Sequence, residues 1–291
     1  MVRIGIIGTE NSHAMAFAKY FNLPDAATGK MHYDDMRVVA VMGDPDSTAA
    51  IVKETGAAFV AEKAEDFFGR VDAVMITSRK GSVHSQFAMP FVEKGMPLFI
   101  DKPLTSDLAQ ARELMEQIEA HGCKVMGGSG CKYVPAIQEI RDKVSALRAS
   151  GEFMSAAMNF RVMLESVYDG IYFYASHLVE MGLAAFGHDA KALQAVRTGN
   201  SLIVTVQYEK DAVSLHFNAL CKTYCCTVFG ANQNDHFDID ISAAYGLEAS
   251  YFADMLLGKR DPLPSEVLLK PVQMIDAIER SLATGGMVSL T

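Results

Sequence analysis

The chain begins with short apolar runs separated by longer stretches of helical spacing. Val2-Arg3-Ile4-Gly5-Ile6-Ile7-Gly8 is almost continuously apolar and ends in glycine, as expected of a strand buried on both faces. After Thr9-Glu10-Asn11-Ser12 a helix is predicted over 13–21, with Asn11 or Ser12 available as its N-cap. A loop rich in Pro, Asp, Gly and Thr follows over 22–35. Residues 37–42 then read as a second strand, closing on Gly43-Asp44-Pro45-Asp46. The buried-strand pattern returns at 72–77, 97–100 and 124–126, with helical stretches at 47–55, 85–94 and 106–121. Alternation of this kind predicts an α/β unit, a doubly wound (Rossmann) parallel sheet over residues 1–127.

Beyond about residue 150 the pattern changes. Residues 152–164, 201–208, 212–217 and 224–229 are strand-like runs, and the last three have no helix between them. This predicts an α+β domain over 128–291 with a mostly antiparallel sheet. Helices are expected at 174–186, 245–257 and 265–283, the last able to pack back on the first domain.

Half the residues are hydrophobic, enough for a sizeable core. The net charge of -9 argues against a general nucleic-acid or anionic-membrane surface, either of which needs a basic patch. No apolar run approaches the roughly 18 residues of a spanning helix. The N-terminus enters a strand at once, leaving no room for a signal peptide. Five cysteines, an odd number, then read as reduced thiols of a cytoplasmic protein. Cys221 and Cys225-Cys226 lack paired C-x-x-C spacing and sit in a β-like run, which marks them as core thiols rather than metal ligands.

Candidate chemistry gathers at strand ends. Pro97-Leu98-Phe99-Ile100 delivers Asp101-Lys102 to the carboxyl end of a strand that Pro103 terminates, where ligands of open parallel sheets bind. Gly5 and Gly8 followed by a helix start suggest a dinucleotide turn, with Thr9, Glu10, Asn11, Ser12 and His13 around it. The G-x-G-x-x-G pattern counted from Gly8 is broken, because Glu10 and His13 stand where glycines belong. Asp44 is placed to hold ribose hydroxyls, favouring NAD over NADP. Asp44-Pro45-Asp46 reads equally well as a helix start.

With these elements placed, the whole chain resembles the Gfo/Idh/MocA oxidoreductases, the family of glucose–fructose oxidoreductase and inositol dehydrogenase. Asp101-Lys102-Pro103 stands for the family's Glu-Lys-Pro. Thr77-Ser78-Arg79 with His84 occupies its Thr-Pro-Asn segment and the helix start that follows. Gly128-Ser129-Gly130-Cys131-Lys132-Tyr133-Val134-Pro135 takes the place of Gly-Phe-Asn-Arg-Arg-Phe-x-Pro. The catalytic helix, Asp-x-Gly-x-His-x-x-Asp, corresponds to Phe173, Ala175, His177 and Glu180, so the first aspartate is lost.

The resemblance implies an NAD(P)-dependent oxidoreductase acting on a sugar, polyol or related hydroxy compound, assembled as a homodimer or homotetramer. Lys102 and His177 would assist proton transfer, with Tyr174 beside them on the helix. Lys132, Arg161, Tyr168, Tyr172 and Glu180 would join them around substrate. Two alternatives stay open: a family-fold protein that binds ligand without hydride transfer, and a non-redox lyase or hydrolase on sugar derivatives. His13, His177 and Glu180 are of types that suit zinc or manganese. Only His177 and Glu180 have local ligand spacing, and no metal is assigned.

Overall fold

The computed structural model describes residues 1–290. In chain order its first elements are β1 (Val2–Ile7), α1 (Ser12–Asn22), β2 (Met36–Met42), α2 (Pro45–Thr55), β3 (Phe59–Val60), β4 (Ala73–Ile76), α3 (His84–Val92), β5 (Leu98–Asp101), α4 (Leu108–Ala120) and β6 (Val125–Gly128). There follow α5 (Pro135–Ser150), β7 (Phe153–Arg161), α6 (Tyr172–Phe186), β8 (Ala192–Thr198), β9 (Ser201–Gln207), β10 (Ala212–Asn218), β11 (Cys225–Gly230), β12 (Asn234–Asp238), α7 (Ala244–Leu256), α8 (Ser265–Thr284) and β13 (Val288–Ser289).

The chain forms two compact units: residues 1–128 with 245–268, and residues 129–244 with 269–291. Sequence reasoning places the boundary at 127/128 and looks to the last helix for a return to the first domain. In the structure α7 and the start of α8 belong to the first unit. The reason is apolar: Ala249, Phe252, Ala253 and Met255 of α7 join Phe17 and Phe21 of α1, Ile4, Ile6, Val38, Met75 and Phe99 in one core. Fully burying a phenylalanine such as Phe17 or Phe252 contributes about 1.5–3 kcal/mol.

In the first unit six strands run in the order β3-β2-β1-β4-β5-β6, and every pairing is parallel. The order reverses between β1 and β4, so the crevice for a ligand lies outside the carboxyl ends of these strands. Their four- to seven-residue apolar runs are buried almost throughout, as a sheet covered on both faces requires. β3 has only two residues, too short for a hydrophobic pattern to announce it.

The second unit carries seven strands in the order β12-β11-β7-β10-β9-β8-β13, antiparallel except for the parallel β7–β10 pair. α6 is buried along nearly its whole length. It starts at Tyr172, two residues before the expected start. Sequence reasoning passes over α5, although Pro135 at its first turn and Gly151 in the left-handed region at its end bracket it clearly. β8 and β12 are likewise unanticipated. No disulfide links the five cysteines. Cys226 is a core thiol as expected, whereas Cys221 and Cys225 are only half-buried. Among the described residues no helix is long and apolar enough to cross a membrane.

Candidate functional site

The turn after β1 is built for close backbone approach. Gly8 sits at φ +97°, and a Cβ there would stand 2.2 Å from the Ser78 nitrogen, so only glycine fits. Thr77 clamps the same point, its hydroxyl donating to the carbonyls of Ile7 at 3.1 Å and Gly8 at 3.0 Å. Thr9 shares a hydrogen bond with Thr48 at 2.8 Å. Asn11 caps α1 by accepting from the His13 amide, and Ser12 opens the helix. Glu10 does not point bare charge into the turn, because its Oε1 accepts from the Arg79 amide at 3.1 Å. Gly5 is a packing glycine rather than a ligand contact: its missing Cβ makes room for the Phe67 ring.

Asp44 stands at the end of β2 as the ribose position requires. It also N-caps α2, accepting from the Ser47 amide at 3.0 Å and hydroxyl at 2.9 Å, and these bonds lower its pKa. These bonds are those of the helix start that the sequence also offers.

At the end of β5 the pair Asp101 and Lys102 is buried, 0% and 2% exposed. Asp101 Oδ1 accepts from the Lys102 amide at 2.7 Å, and Oδ2 accepts from Asn11 Nδ2 at 3.2 Å. His13 Nδ1 lies 2.8 Å from the same Oδ2, yet off the axis of a directed hydrogen bond. Burial alone would raise the Asp101 pKa. The charge of His13, joined by Lys102 and His84, reverses that and holds it low. His84, fully buried, places Nδ1 2.7 Å from the Pro103 carbonyl and Nε2 2.8 Å from the Ser78 carbonyl. It thus ties the Lys102-Pro103 segment, whose peptide is cis, to the Thr77-Ser78 segment.

In the second unit the centre is Ser129, the first residue after β6. Its amide donates to Glu180 Oε2 at 2.9 Å, and its hydroxyl lies 2.7 Å from His177 Nδ1. Cys131 donates its amide to the same hydroxyl at 3.2 Å and brings Sγ 3.7 Å from the imidazole. Glu180 also takes the Lys132 ammonium at 2.8 Å, both side chains buried. Burial would lower the Lys132 pKa, and Glu180 outweighs it, raising it.

Sequence reasoning expects Lys132 and Glu180 around substrate. The structure instead pairs them with each other in the interior. His177 and Glu180 both bond Ser129, the first at its hydroxyl and the second at its amide. Tyr174 stays with His177, ring centroids 6.1 Å apart, as does Phe160 at 5.9 Å. Tyr172 is buried and bonds Glu279. Phe173, in the place of the lost aspartate, packs between Tyr168 at 5.1 Å and Tyr174 at 4.8 Å. Arg161 is exposed at the end of β7.

Two residues escaped the sequence reading as site members. Ser129 lies in a glycine-rich run that gives no hint of a histidine partner 48 positions away. Glu248, on α7, is buried beside His13 and Asp101 with no local motif to mark it.

Comparison with known proteins places this architecture. Residues 2–129 match the oxidoreductase family with an NAD-binding Rossmann fold. Over 112 residues the chain is 28% identical to the myo-inositol dehydrogenase Hyg17 of Streptomyces leeuwenhoekii, a stretch covering 38% of this chain and 34% of that enzyme. In three dimensions it is similar to a myo-inositol dehydrogenase from Corynebacterium glutamicum, with TM-score 0.81 and 20% identity over 100% of this chain and 99% of that one. A probable dehydrogenase from Thermotoga maritima gives 0.84 and 15% over 99% of both chains. A Lactobacillus casei myo-inositol dehydrogenase, solved with NAD(H) and myo-inositol, gives 0.81 and 15% over 100% of this chain and 97% of that one. At these identities the solved structures establish the fold. The similarity to the Gfo/Idh/MocA family of oxidoreductases covers residues 2–129, less than half of the chain.

Proposed function

We propose that this protein is an NAD-dependent dehydrogenase acting on a hydroxyl of a sugar, polyol or related compound, with inositols the first substrates to test. The observation that carries this reading is the buried Asp101-Lys102 pair at the carboxyl end of β5, in a sheet of an NAD-binding family. The residues fit the cofactor: at Gly8 the turn after β1 packs so tightly on the Ser78 backbone that no Cβ fits, and it leads into the N-terminus of α1, where phosphates bind. Gly8, Thr9, Asn11 and Ser12 would hold the phosphates, Asp44 the ribose, and Thr77, Ser78 and His84 the far end. The carboxylate of Asp44 disfavours a 2′-phosphate, hence NAD over NADP. NAD, when bound, supplies the hydride acceptor.

The Lys102 ammonium orients the reacting hydroxyl and stabilises negative charge developing on its oxygen. His177 removes the proton. Ser129 accepts from the Cys131 amide and, in this assignment, from Nδ1–H of His177, which presents the Nε2 lone pair to substrate. Tyr174, one turn earlier on α6, adds a hydroxyl on the same face. The open face of the second sheet, where Val196 and Ile203 are exposed apolar side chains in register with the half-buried His216, packs against a second copy in this reading. Light scattering on the purified protein checks that assembly.

The test of the enzyme is NAD⁺ reduction across a panel of inositols and sugars. Turnover should appear with the natural chain and fall by roughly 100-fold or more in Lys102→Met and His177→Ala. Phe173 in the aspartate's place favours a second reading, a ligand-binding protein without hydride transfer. Tight nucleotide binding with no turnover on any polyol would select it.

A further inference from the structure

Three ligand-bearing side chains converge beneath the first turn, where the nicotinamide reading needs none of them as a metal site. His13 from α1, Asp101 from β5 and Glu248 from α7 bring one ligand atom each to within 4.8 Å of one another. All three are buried, at 5%, 0% and 2% exposure. Each is positioned by its surroundings. Asp101 is fixed by the Lys102 amide and by Asn11, and the His13 ring lies tilted against Tyr245, three residues before Glu248, with ring centroids 4.5 Å apart. Tyr245 and Glu248 therefore present one face of α7 to the start of α1.

Two ionised carboxylates so close and so deeply buried repel one another, and either a proton on one of them or a cation among them relieves that repulsion. His13 is the nearest candidate for that charge, but its Nδ1 makes no hydrogen bond despite standing 2.8 Å from Asp101 Oδ2. A buried ring nitrogen that misses the proton-donor axis beside one carboxylate, with a second carboxylate in the same cluster, is arranged as a ligand to a third atom. The positive end of α1 opposes a cation here, and the ionised Asp101 carboxylate offsets that partial charge.

We propose that His13, Asp101 and Glu248 form a binding site for a divalent first-row metal ion, zinc or manganese, within the first unit. An imidazole with two carboxylates suits these ions, whereas magnesium and calcium favour all-oxygen shells. Three protein ligands leave at least one coordination position for water or a ligand. The ion ties the start of α1, the end of β5 and α7 together.

The probe is the metal alone, with no nucleotide present. Chelator-treated protein is titrated calorimetrically with zinc and manganese chloride. One ion per chain is expected with a Kd of about 1 µM or tighter, and the melting temperature should rise with free metal as linkage requires. His13→Gln and the near-isosteric Glu248→Gln should each weaken binding at least roughly tenfold. Cobalt loading of the natural chain should give a nitrogen–oxygen spectrum without thiolate bands, which decides the matter even where a variant fails to fold. No stoichiometric binding at about 100 times that Kd, undiminished binding in both variants, or a thiolate signature would overturn the site.

Discussion

The hydroxyl of Ser129 stands 2.7 Å from Nδ1 of His177 while also accepting the Cys131 amide at 3.2 Å. One small side chain therefore orients the helix histidine and, in the assignment proposed above, sets its tautomer. Ser129→Ala should lower kcat by roughly tenfold with little change in KM, a smaller loss than in His177→Ala. An unchanged kcat and pH profile in Ser129→Ala would remove the serine from the account.

The Lys132–Glu180 pair is an internal strut, and its energetics differ from those of a substrate contact. Glu180→Gln strands the Lys132 charge in the interior and should cost about 3 kcal/mol of stability. Replacing both residues with apolar ones of similar volume should recover most of that loss. Urea unfolding measures each step. Full stability in the single variant together with a raised KM would restore Glu180 to the substrate.

The Asp44 carboxylate carries two roles that one substitution separates. Asp44→Ser keeps an N-cap for α2 but removes the charge, so stability should stay within about 0.5 kcal/mol. The preference for NADH over NADPH should shrink about tenfold, as the loss of a charged hydrogen bond predicts. Retained preference would confine Asp44 to capping.

His84 gives a pH signature. Burial pushes its imidazole down, against the two carbonyls and Asp101 that favour its charged form. A group whose pKa is lowered on folding gains a proton on unfolding. Stability should therefore be full above the unfolded value of about 6.5 and decline as the pH drops below it, by up to about 1.4 kcal/mol per pH unit. His216, also pushed down by burial, adds to the slope, so His84→Gln should flatten it in part. Stability that rises on acidification would mean the Pro103 and Ser78 carbonyls hold His84 as an imidazolium.

Most of the first unit was legible because its strands are continuous apolar runs closed by glycine or proline, a pattern that tertiary packing reinforces. β3 was not, because two residues carry no period. α5 was legible and passed over: Ile137, Ile140, Val144 and Leu147 recur at helical spacing between Pro135 and Gly151. Lys102 and His177 are proposed as site residues from their position along the chain. The fates of Lys132, Glu180 and Tyr172 were not legible, since the partner of a buried polar group is chosen by the fold and not by neighbours in sequence. His13, Asp101 and Glu248 make the same point across 235 positions.

The most direct test of the central claim is titration of the purified chain with NADH and NADPH, followed by nicotinamide fluorescence. Micromolar binding of NADH, at least about tenfold tighter than NADPH and lost in a Gly8→Val variant whose side chain fills the turn, is the predicted result. No binding of either nucleotide up to about 1 mM would leave the fold in place and contradict the dehydrogenase.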